Sequence, residues 1–127
     1  MTIYRHDYDR SYLPAIPVIE LQISIERDTP AEILSALVDS GADATILPIE
    51  ALRKIDAPLI REKWLRSATG ERHLVNMYQV YLRFGEFGRY MIVVGDDFGG
   101  EATIGRDILN RYIVTLNGID SVVEVSD

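Results

Sequence analysis

The residues with the clearest chemical potential form an Asp-Ser-Gly triplet, Asp39-Ser40-Gly41, which directly follows the apolar run Ala36-Leu37-Val38. The backbone of an aspartate in this position is fixed by the preceding strand, and Gly41 lets backbone N–H groups approach the carboxylate. Ser40 adds a hydroxyl that can hydrogen-bond across a tight contact. The triplet could therefore hold a carboxylate for acid–base chemistry, although taken alone it is also a common turn sequence.

Carboxylates alone can catalyse hydrolysis of a peptide bond when two such aspartates face each other. Two carboxylates about 3 Å apart cannot both ionise easily, so they share one proton. One of them can then deprotonate a water molecule while the other protonates the scissile carbonyl oxygen. The chain contains only one Asp-Ser-Gly triplet, so a pair of such triplets would require a second copy of the chain.

A second informative segment, Ala102 to Leu109, has the sequence Ala-Thr-Ile-Gly-Arg-Asp-Ile-Leu. Together and in this order, this segment and Leu37 to Asp43 resemble the two signature segments of the retropepsin-like aspartic proteases. The longer string from Ala36 to Leu47 resembles the active-site segment of that family almost throughout. The resemblance extends over about residues 18 to 117.

The resemblance implies an all-β fold, a closed barrel of the acid-protease type with one or two short helices, assembled as a homodimer that cleaves peptide or protein substrates. It implies that Asp39 is catalytic, that Ser40 braces the two loops across the dimer axis, and that Gly41 shapes the turn. It also implies that Gly105 and Arg106 support the catalytic loop.

The resemblance further implies that Arg106 pairs with Asp43, which would also border the substrate groove. It places a substrate-covering flap at residues 67–72, with Ala68, Thr69 and Gly70 at its tip. This tip holds one glycine where viral members have more, and Ser40 stands where many members have threonine. We expect Trp64 and Tyr78 to pack at the base of the flap.

Periodicity predicts the elements that would position these residues. Alternation of apolar and polar side chains is typical of half-buried strands. It predicts many short strands and little helix after an N-terminal arm at residues 1–17, and the resemblance implies that residues 18–127 are the protease domain. We expect strands at residues 18–26, 32–39, 78–84 and 90–94, short helices at 48–55 and 107–111, and a hairpin joining 112–116 to 119–125 through a type I′ turn at Asn117-Gly118.

Composition and net charge disfavour several other functions. The 127 residues suffice for one domain, and the net charge of −7 disfavours binding to nucleic acid or to anionic membranes. There is no cysteine, and His6 and His73 have no third ligand at a recognisable spacing, so we expect no metal and no cofactor. The lack of cysteine, and an N-terminus without a signal-peptide pattern, favour a cytoplasmic location.

Two alternatives remain open at the level of sequence. The chain could keep the fold yet act as a peptide-binding or assembly module with little or no activity, since fold alone does not establish activity. It could also be a monomer whose half-site is completed by a larger partner. The chain continues beyond the point where viral members close their dimer, so the interface could use the C-terminal hairpin, the N-terminal arm, or both.

Overall fold

The structure is a computed structural model that describes residues 1–66, 69–97 and 100–127. These residues form a mostly β fold with two short helices. In chain order the elements are β1 Ile3–Asp7, β2 Val18–Ser24, β3 Glu32–Val38, β4 Ile46–Pro48, α1 Ile49–Lys54, β5 Leu59–Arg66, β6 Arg72–Phe84, β7 Phe87–Asp96, β8 Ala102–Ile104, α2 Arg106–Leu109, β9 Ile113–Asn117 and β10 Val122–Ser126.

Six of the described strands close into a barrel, as the sequence predicts. They follow the order β2-β3-β8-β4-β7-β6, and β2 then pairs with β6 through Gln22↔Arg83 to Ser24↔Tyr81. β5 lies outside this ring and, among the described strands, pairs only with β6. The antiparallel β6–β7 hairpin turns through Gly85 and Glu86, where the φ of 55° at Gly85 suits a two-residue loop.

Alternating side chains fill the barrel. In β2, Ile19, Leu21 and Ile23 are at most 1% exposed, as the period-2 pattern predicts. Val80 and Leu82 of β6 meet them in the same core. Each such side chain contributes about 1.5–3 kcal/mol on burial, so this core fixes the strand ends from which the functional loops extend.

A second sheet, in the order β1-β10-β9, packs against the barrel. β10 lies in the middle and pairs antiparallel with both neighbours, from Ile3↔Ser126 on one side and Ile113↔Ser126 on the other. Val123 and Val125 point from β10 into the barrel core. The first strand of the predicted N-terminal arm is thus paired with the C-terminal strand of the same chain.

The C-terminal hairpin is confirmed, but the predicted type I′ turn is wrong. The last pair is Asn117↔Val122, which leaves a four-residue loop, and the positive φ of 55° falls on Ser121. The side chain of Asn117 explains the longer loop, because its Oδ1 accepts the backbone N–H of Asp120 at 3.0 Å. Among the described residues, no helix is long and apolar enough to cross a membrane.

Candidate active site

Asp39 lies immediately after β3, at the start of a loop that we call the Asp39 loop, residues 39–45. Its backbone N–H donates to the carbonyl of Ile104 at 3.0 Å, so the strand register fixes its position. Its Oδ1 accepts the backbone N–H of Gly41 at 2.9 Å. A Cβ on Gly41 would lie 3.1 Å from the same oxygen, so glycine there leaves the carboxylate room to take this position.

The segment that contains β8 runs beneath the Asp39 loop. β8 lies between β3 and β4, parallel to the first and antiparallel to the second. At its end, a Cβ on Gly105 would lie 2.6 Å from the backbone of Ala44 and 2.9 Å from the carbonyl oxygen of Ala42. No other residue type fits between these backbone atoms, so Gly105 allows the loop and the strand to pack directly together.

Arg106 ties three points of the Asp39 loop to the start of α2. Its backbone N–H donates to the carbonyl of Ala42 at 2.8 Å, and its Nη1 donates to the carbonyl of Ser40 at 2.7 Å. Its Nη2 donates to Asp43 Oδ1, which is the ion pair that the resemblance implies. The Asp43 side chain is 85% exposed, so this pair contributes at most about 1 kcal/mol to stability; its main effect is on the shape of the loop.

A further pair, Thr45 and Asp107, supports the loop from inside and was missed by the sequence reasoning. The Asp107 carboxylate accepts the backbone N–H of Thr45 at 2.9 Å and its hydroxyl at 2.8 Å. The same hydroxyl oxygen accepts the backbone N–H of Gly105 at 3.2 Å, and Thr45 is fully buried. The sequence feature that could have indicated this pair is the acidic residue directly after Gly105-Arg106, in the first turn of a predicted short helix.

The predicted flap lies at the end of the long β5–β6 hairpin. These strands pair from Leu59↔Tyr78 to Arg66↔Arg72. Thr69 and Gly70 lie in the turn, and Gly70 has a φ of 89° with open space around it. Ser67 and Ala68, which the prediction also includes, lie outside the described residues.

The two aromatic residues expected at the flap base differ in their surroundings. Tyr78 packs against the barrel core, as expected. Trp64 is 55% exposed on the flap, so the expectation that it packs at the base is wrong. It pairs directly with Leu74, which is also half-exposed, and Arg72 lies against its ring at 5.2 Å. The reason is that no strand in the described part of the chain lies beside β5 on the side away from β6 to cover its outer half.

Within one chain the site remains half-open. Ser40 is exposed, and its hydroxyl makes no hydrogen bond to any described residue. The second carboxylate oxygen of Asp39 likewise accepts no hydrogen bond from a described residue. Two cavities of about 130 and 210 Å³ are lined by other residues and do not include Asp39. In the described part of the chain, no three His, Asp or Glu side chains group as metal ligands.

Two solved protein structures are similar to this chain in fold. A structure of EIAV protease complexed with the inhibitor HBY-793 has 20% identity and a TM-score of 0.58, over 76% of this chain and 86% of the viral one. A retropepsin-like aspartic protease from Rickettsia conorii has 12% identity and a TM-score of 0.62, over 98% and 90%. These two structures share the fold.

Comparison of the sequence with protein-family models identifies the family. No curated protein matches the chain significantly. The profile of the family described as retroviral aspartyl protease, however, matches residues 14–117. That range contains both the Asp39 loop and the Gly105-Arg106 segment. The chain therefore belongs to the retroviral aspartyl protease family.

Proposed function

We propose that the protein is an aspartic endopeptidase that acts as a homodimer, with Asp39 of each copy forming one catalytic pair. The observation that carries the proposal is the Asp39 carboxylate itself. It is half-buried, it is oriented by the N–H of Gly41, and its second oxygen is left without a partner among the described residues. A two-fold axis beside this loop would bring the two carboxylates together with identical surroundings.

The chemistry follows from two carboxylates sharing one proton. The ionised Asp39 takes a proton from a water molecule, and the protonated Asp39 of the other copy donates its proton to the scissile carbonyl oxygen. The water oxygen then attacks the carbonyl carbon to give a tetrahedral diol. The Asp39 that took the water proton then donates it to the leaving nitrogen while the other Asp39 takes a proton from a hydroxyl of the diol, so the peptide bond breaks and one proton remains on the pair.

Ser40 and the flap supply the remaining parts of this proposal. The exposed hydroxyl of Ser40 would hydrogen-bond across the axis and hold the two Asp39 loops at a fixed separation. An extended peptide would lie between the carboxylate pair and the two β5–β6 hairpins, bound by backbone hydrogen bonds. Ala68, Thr69 and Gly70 would cover it and exclude water, and Asp43 would border the groove. The cytoplasmic location stays a prediction from the sequence.

The test is cleavage of a diverse peptide mixture from acid to neutral pH by the wild type and by Asp39→Asn. Asp28→Asn is the matched control, because Asp28 is an exposed loop aspartate and the charge change is the same. We expect cleavage by the wild type and the control and none by Asp39→Asn. We also expect a bell-shaped pH dependence, since one proton must be shared by the pair.

The same samples decide between an enzyme and a binding module. Sedimentation of each variant reports whether Asp39→Asn remains folded and dimeric. Cleavage by Asp39→Asn at the wild-type rate would contradict the assignment of Asp39. An intact wild-type dimer that binds peptides and cleaves none would favour the peptide-binding or assembly module, while a wild type that stays monomeric and inactive would favour completion by a larger partner.

A further inference from the structure

A polar cavity of about 210 Å³ lies on the outer face of the barrel, where β2 ends and the chain turns towards β3. All but one of the residues that line it carry a polar side chain. Drug-sized ligands occupy mostly apolar pockets of about 300–1,000 Å³. This cavity is smaller and polar, so it suits a small ligand that is held by hydrogen bonds and charge.

The register of two strands brings much of the lining together. Ser24 of β2 pairs with Tyr81 of β6, and two residues earlier Gln22 pairs with Arg83. Residues two apart along a strand share one face of the sheet, and the alternate residue Ile23 lies in the barrel core. The four lining residues therefore lie side by side on the outer face, and the turn between β2 and β3 completes the cavity.

The β2–β3 turn is held in one shape by its own side chains. The buried hydroxyl of Ser24 donates to the carbonyl of Glu26 at 2.6 Å. The backbone N–H of Thr29 donates to the same carbonyl at 3.3 Å, and its Oγ1 accepts the backbone N–H of Glu26 at 3.1 Å. This wall of the cavity is thus formed in advance, so a ligand does not have to order it on binding.

Arg27 extends from this turn across the outer face. Its backbone N–H donates to the hydroxyl of Tyr90 at 3.3 Å, and its guanidinium carbon lies 5.7 Å from the centre of the Tyr81 ring. The two tyrosine rings pack edge to face, with their centres 4.9 Å apart. A guanidinium over an aromatic ring keeps its N–H donors free at its edge, and Arg27 spends none of these donors on a described residue.

Arg83 reaches the same cavity from β6. Its Nε donates to the carbonyl of Gly85 at 3.3 Å, which orients the side chain and leaves both terminal nitrogens without a partner among the described residues. Within the described part of the chain, neither Arg27 nor Arg83 forms an ion pair. Asp28, the acidic residue of the lining, therefore neutralises neither of them by direct contact.

We propose that this cavity binds a phosphate group, with Arg27 and Arg83 as its two charged ligands. Two guanidinium groups that line one cavity repel each other, and an anion between them removes this repulsion. A phosphate monoester carries a charge of about −1.5 to −2 at pH 7, whereas one carboxylate carries a single charge. Phosphate oxygens also match the planar fork of a guanidinium, and Gln22 adds an amide donor beside them.

The cavity is separate from the proposed catalytic site. β2 runs from Val18, which pairs with Leu37 shortly before Asp39, to Ser24 at the cavity. Its seven residues span about 20 Å at about 3.3 Å each. A phosphate group at this distance does not lie against the Asp39 carboxylate, and the inference does not depend on the proposed peptidase. The bound group would link the β2–β3 turn to β6 and stabilise the folded chain.

Titration of the full chain with inorganic phosphate, with sodium chloride added to keep the ionic strength constant, gives the dissociation constant by calorimetry. Arg27→Gln and Arg83→Gln each remove one guanidinium from an exposed position. Arg10→Gln is the matched control, because Arg10 is exposed, lies outside the cavity and loses the same charge. We expect the first two variants to raise the dissociation constant about tenfold or more and the control to leave it within about twofold.

A wild type that binds no phosphate, or an equal weakening by all three variants, would overturn the inference. Arg83→Lys keeps the charge and removes the fork, so we expect it to bind phosphate more tightly than Arg83→Gln and less tightly than the wild type. Thermal unfolding without phosphate reports whether each variant is folded. With phosphate, the unfolding temperature should rise more for the wild type and Arg10→Gln than for the other variants, and an equal rise in all of them would contradict the site.

Two further probes identify the chemistry and source of the ligand. Acetate should bind at least about tenfold more weakly than inorganic phosphate, because it carries one charge and two oxygens; equal binding would overturn the assignment to a phosphate group. Glycerol 3-phosphate that binds more tightly than inorganic phosphate would support a small phosphorylated molecule as the ligand, and the reverse order would support the free ion. These measurements contain no peptide, so their result stands whether or not the chain cleaves peptides.

Discussion

At the scale of single residues, the site depends on how closely the backbone approaches the Asp39 carboxylate. The N–H of Gly41 donates to Asp39 Oδ1, and a Cβ added to Gly41 would lie only 3.1 Å from that oxygen. Gly41 is not in the left-handed region of φ, so alanine there meets a steric contact and no backbone strain. Any methyl group at this position must displace the carboxylate by a few tenths of an ångström.

Gly41→Ala is therefore expected to leave the fold intact and to lower kcat/KM for peptide cleavage by about tenfold or more, since small misplacements of a catalytic group are costly. Gly118→Ala is the control, because a Cβ at Gly118 meets nothing within 4 Å. Thermal unfolding and peptide cleavage are measured on both. Equal activity of the two variants would show that the carboxylate tolerates the displacement.

The family resemblance predicted one of the two long-range pairs that support the Asp39 loop and missed the other. The Arg106–Asp43 pair was expected by resemblance and is present. The Thr45–Asp107 bonds join residues that are far apart in sequence, and neither residue type predicts burial. Only the folded chain shows that a single buried hydroxyl serves both Gly105 and Asp107.

At the scale of elements, the insertion of β8 between β3 and β4 determines the shape of the Asp39 loop. The three strands are joined by few backbone pairs, among them the single antiparallel pair Ile46↔Thr103. Side-chain hydrogen bonds from Thr45 therefore carry part of the connection. Loss of its hydroxyl leaves the buried N–H of Gly105 without an acceptor, which costs about 1–3 kcal/mol.

Thr45→Val is expected to lower the free energy of unfolding by about that amount, because valine keeps the shape and removes the hydroxyl. Thr45→Ser keeps the hydroxyl and loses a buried methyl group, for a loss of about 0.5–1.5 kcal/mol. Denaturant titration of both variants gives the two values. If Thr45→Val lowers the free energy of unfolding less than Thr45→Ser does, side-chain packing contributes more to stability at this position than hydrogen bonding.

Element types were largely predictable, and their ends were less so. The alternation in β2 and the apolar run in β7 predict strands that the structure confirms. The type I′ turn was predicted from Asn117-Gly118 because that dipeptide favours positive φ. The side chain of Asn117 instead caps a four-residue loop, so a local side-chain bond outweighs the dipeptide preference.

At the scale of the whole molecule, closure of the barrel and pairing of the terminal strands depend on contacts between parts of the chain that are far apart in sequence. The barrel closes where β2 meets β6, and the N-terminal strand β1 is held by the C-terminal strand β10. A side-chain hydrogen bond also links the N-terminal arm to the barrel: the Tyr12 hydroxyl donates to the Glu101 carboxylate. Periodicity reports which face of a strand is buried and carries no information on these pairings.

The Tyr12–Glu101 bond gives a pH dependence of known sign. The hydrogen bond to Glu101 and its negative charge raise the pKa of Tyr12 above its ordinary value of 10.0. A raised pKa means that the bond stabilises the fold below pH 10 and that this contribution is lost as pH rises through the shifted value. We expect the arm to loosen only in that alkaline range.

The measurement is the ultraviolet absorbance of phenolate, taken as the difference between the wild type and Tyr12→Phe. Its midpoint should lie above pH 10 and should return towards 10 in Glu101→Gln, which removes the charge and keeps the shape. Amide hydrogen exchange of residues 8–16 reports whether the N-terminal arm loosens over the same pH range. If Glu101→Gln leaves the midpoint of the Tyr12 titration unchanged, the Tyr12–Glu101 hydrogen bond is contradicted.

The most direct test of the central claim mixes wild-type subunits with Asp39→Asn subunits at constant total protein. If each active site needs Asp39 from both copies, mixed dimers are inactive and activity falls as the square of the wild-type fraction, to about one quarter in an equal mixture. If each copy acts independently through its own Asp39, activity falls linearly, to about one half, and if one Asp39 per dimer suffices, about three quarters remains. The quadratic result is the one predicted, and the linear result would contradict a catalytic pair shared between two chains.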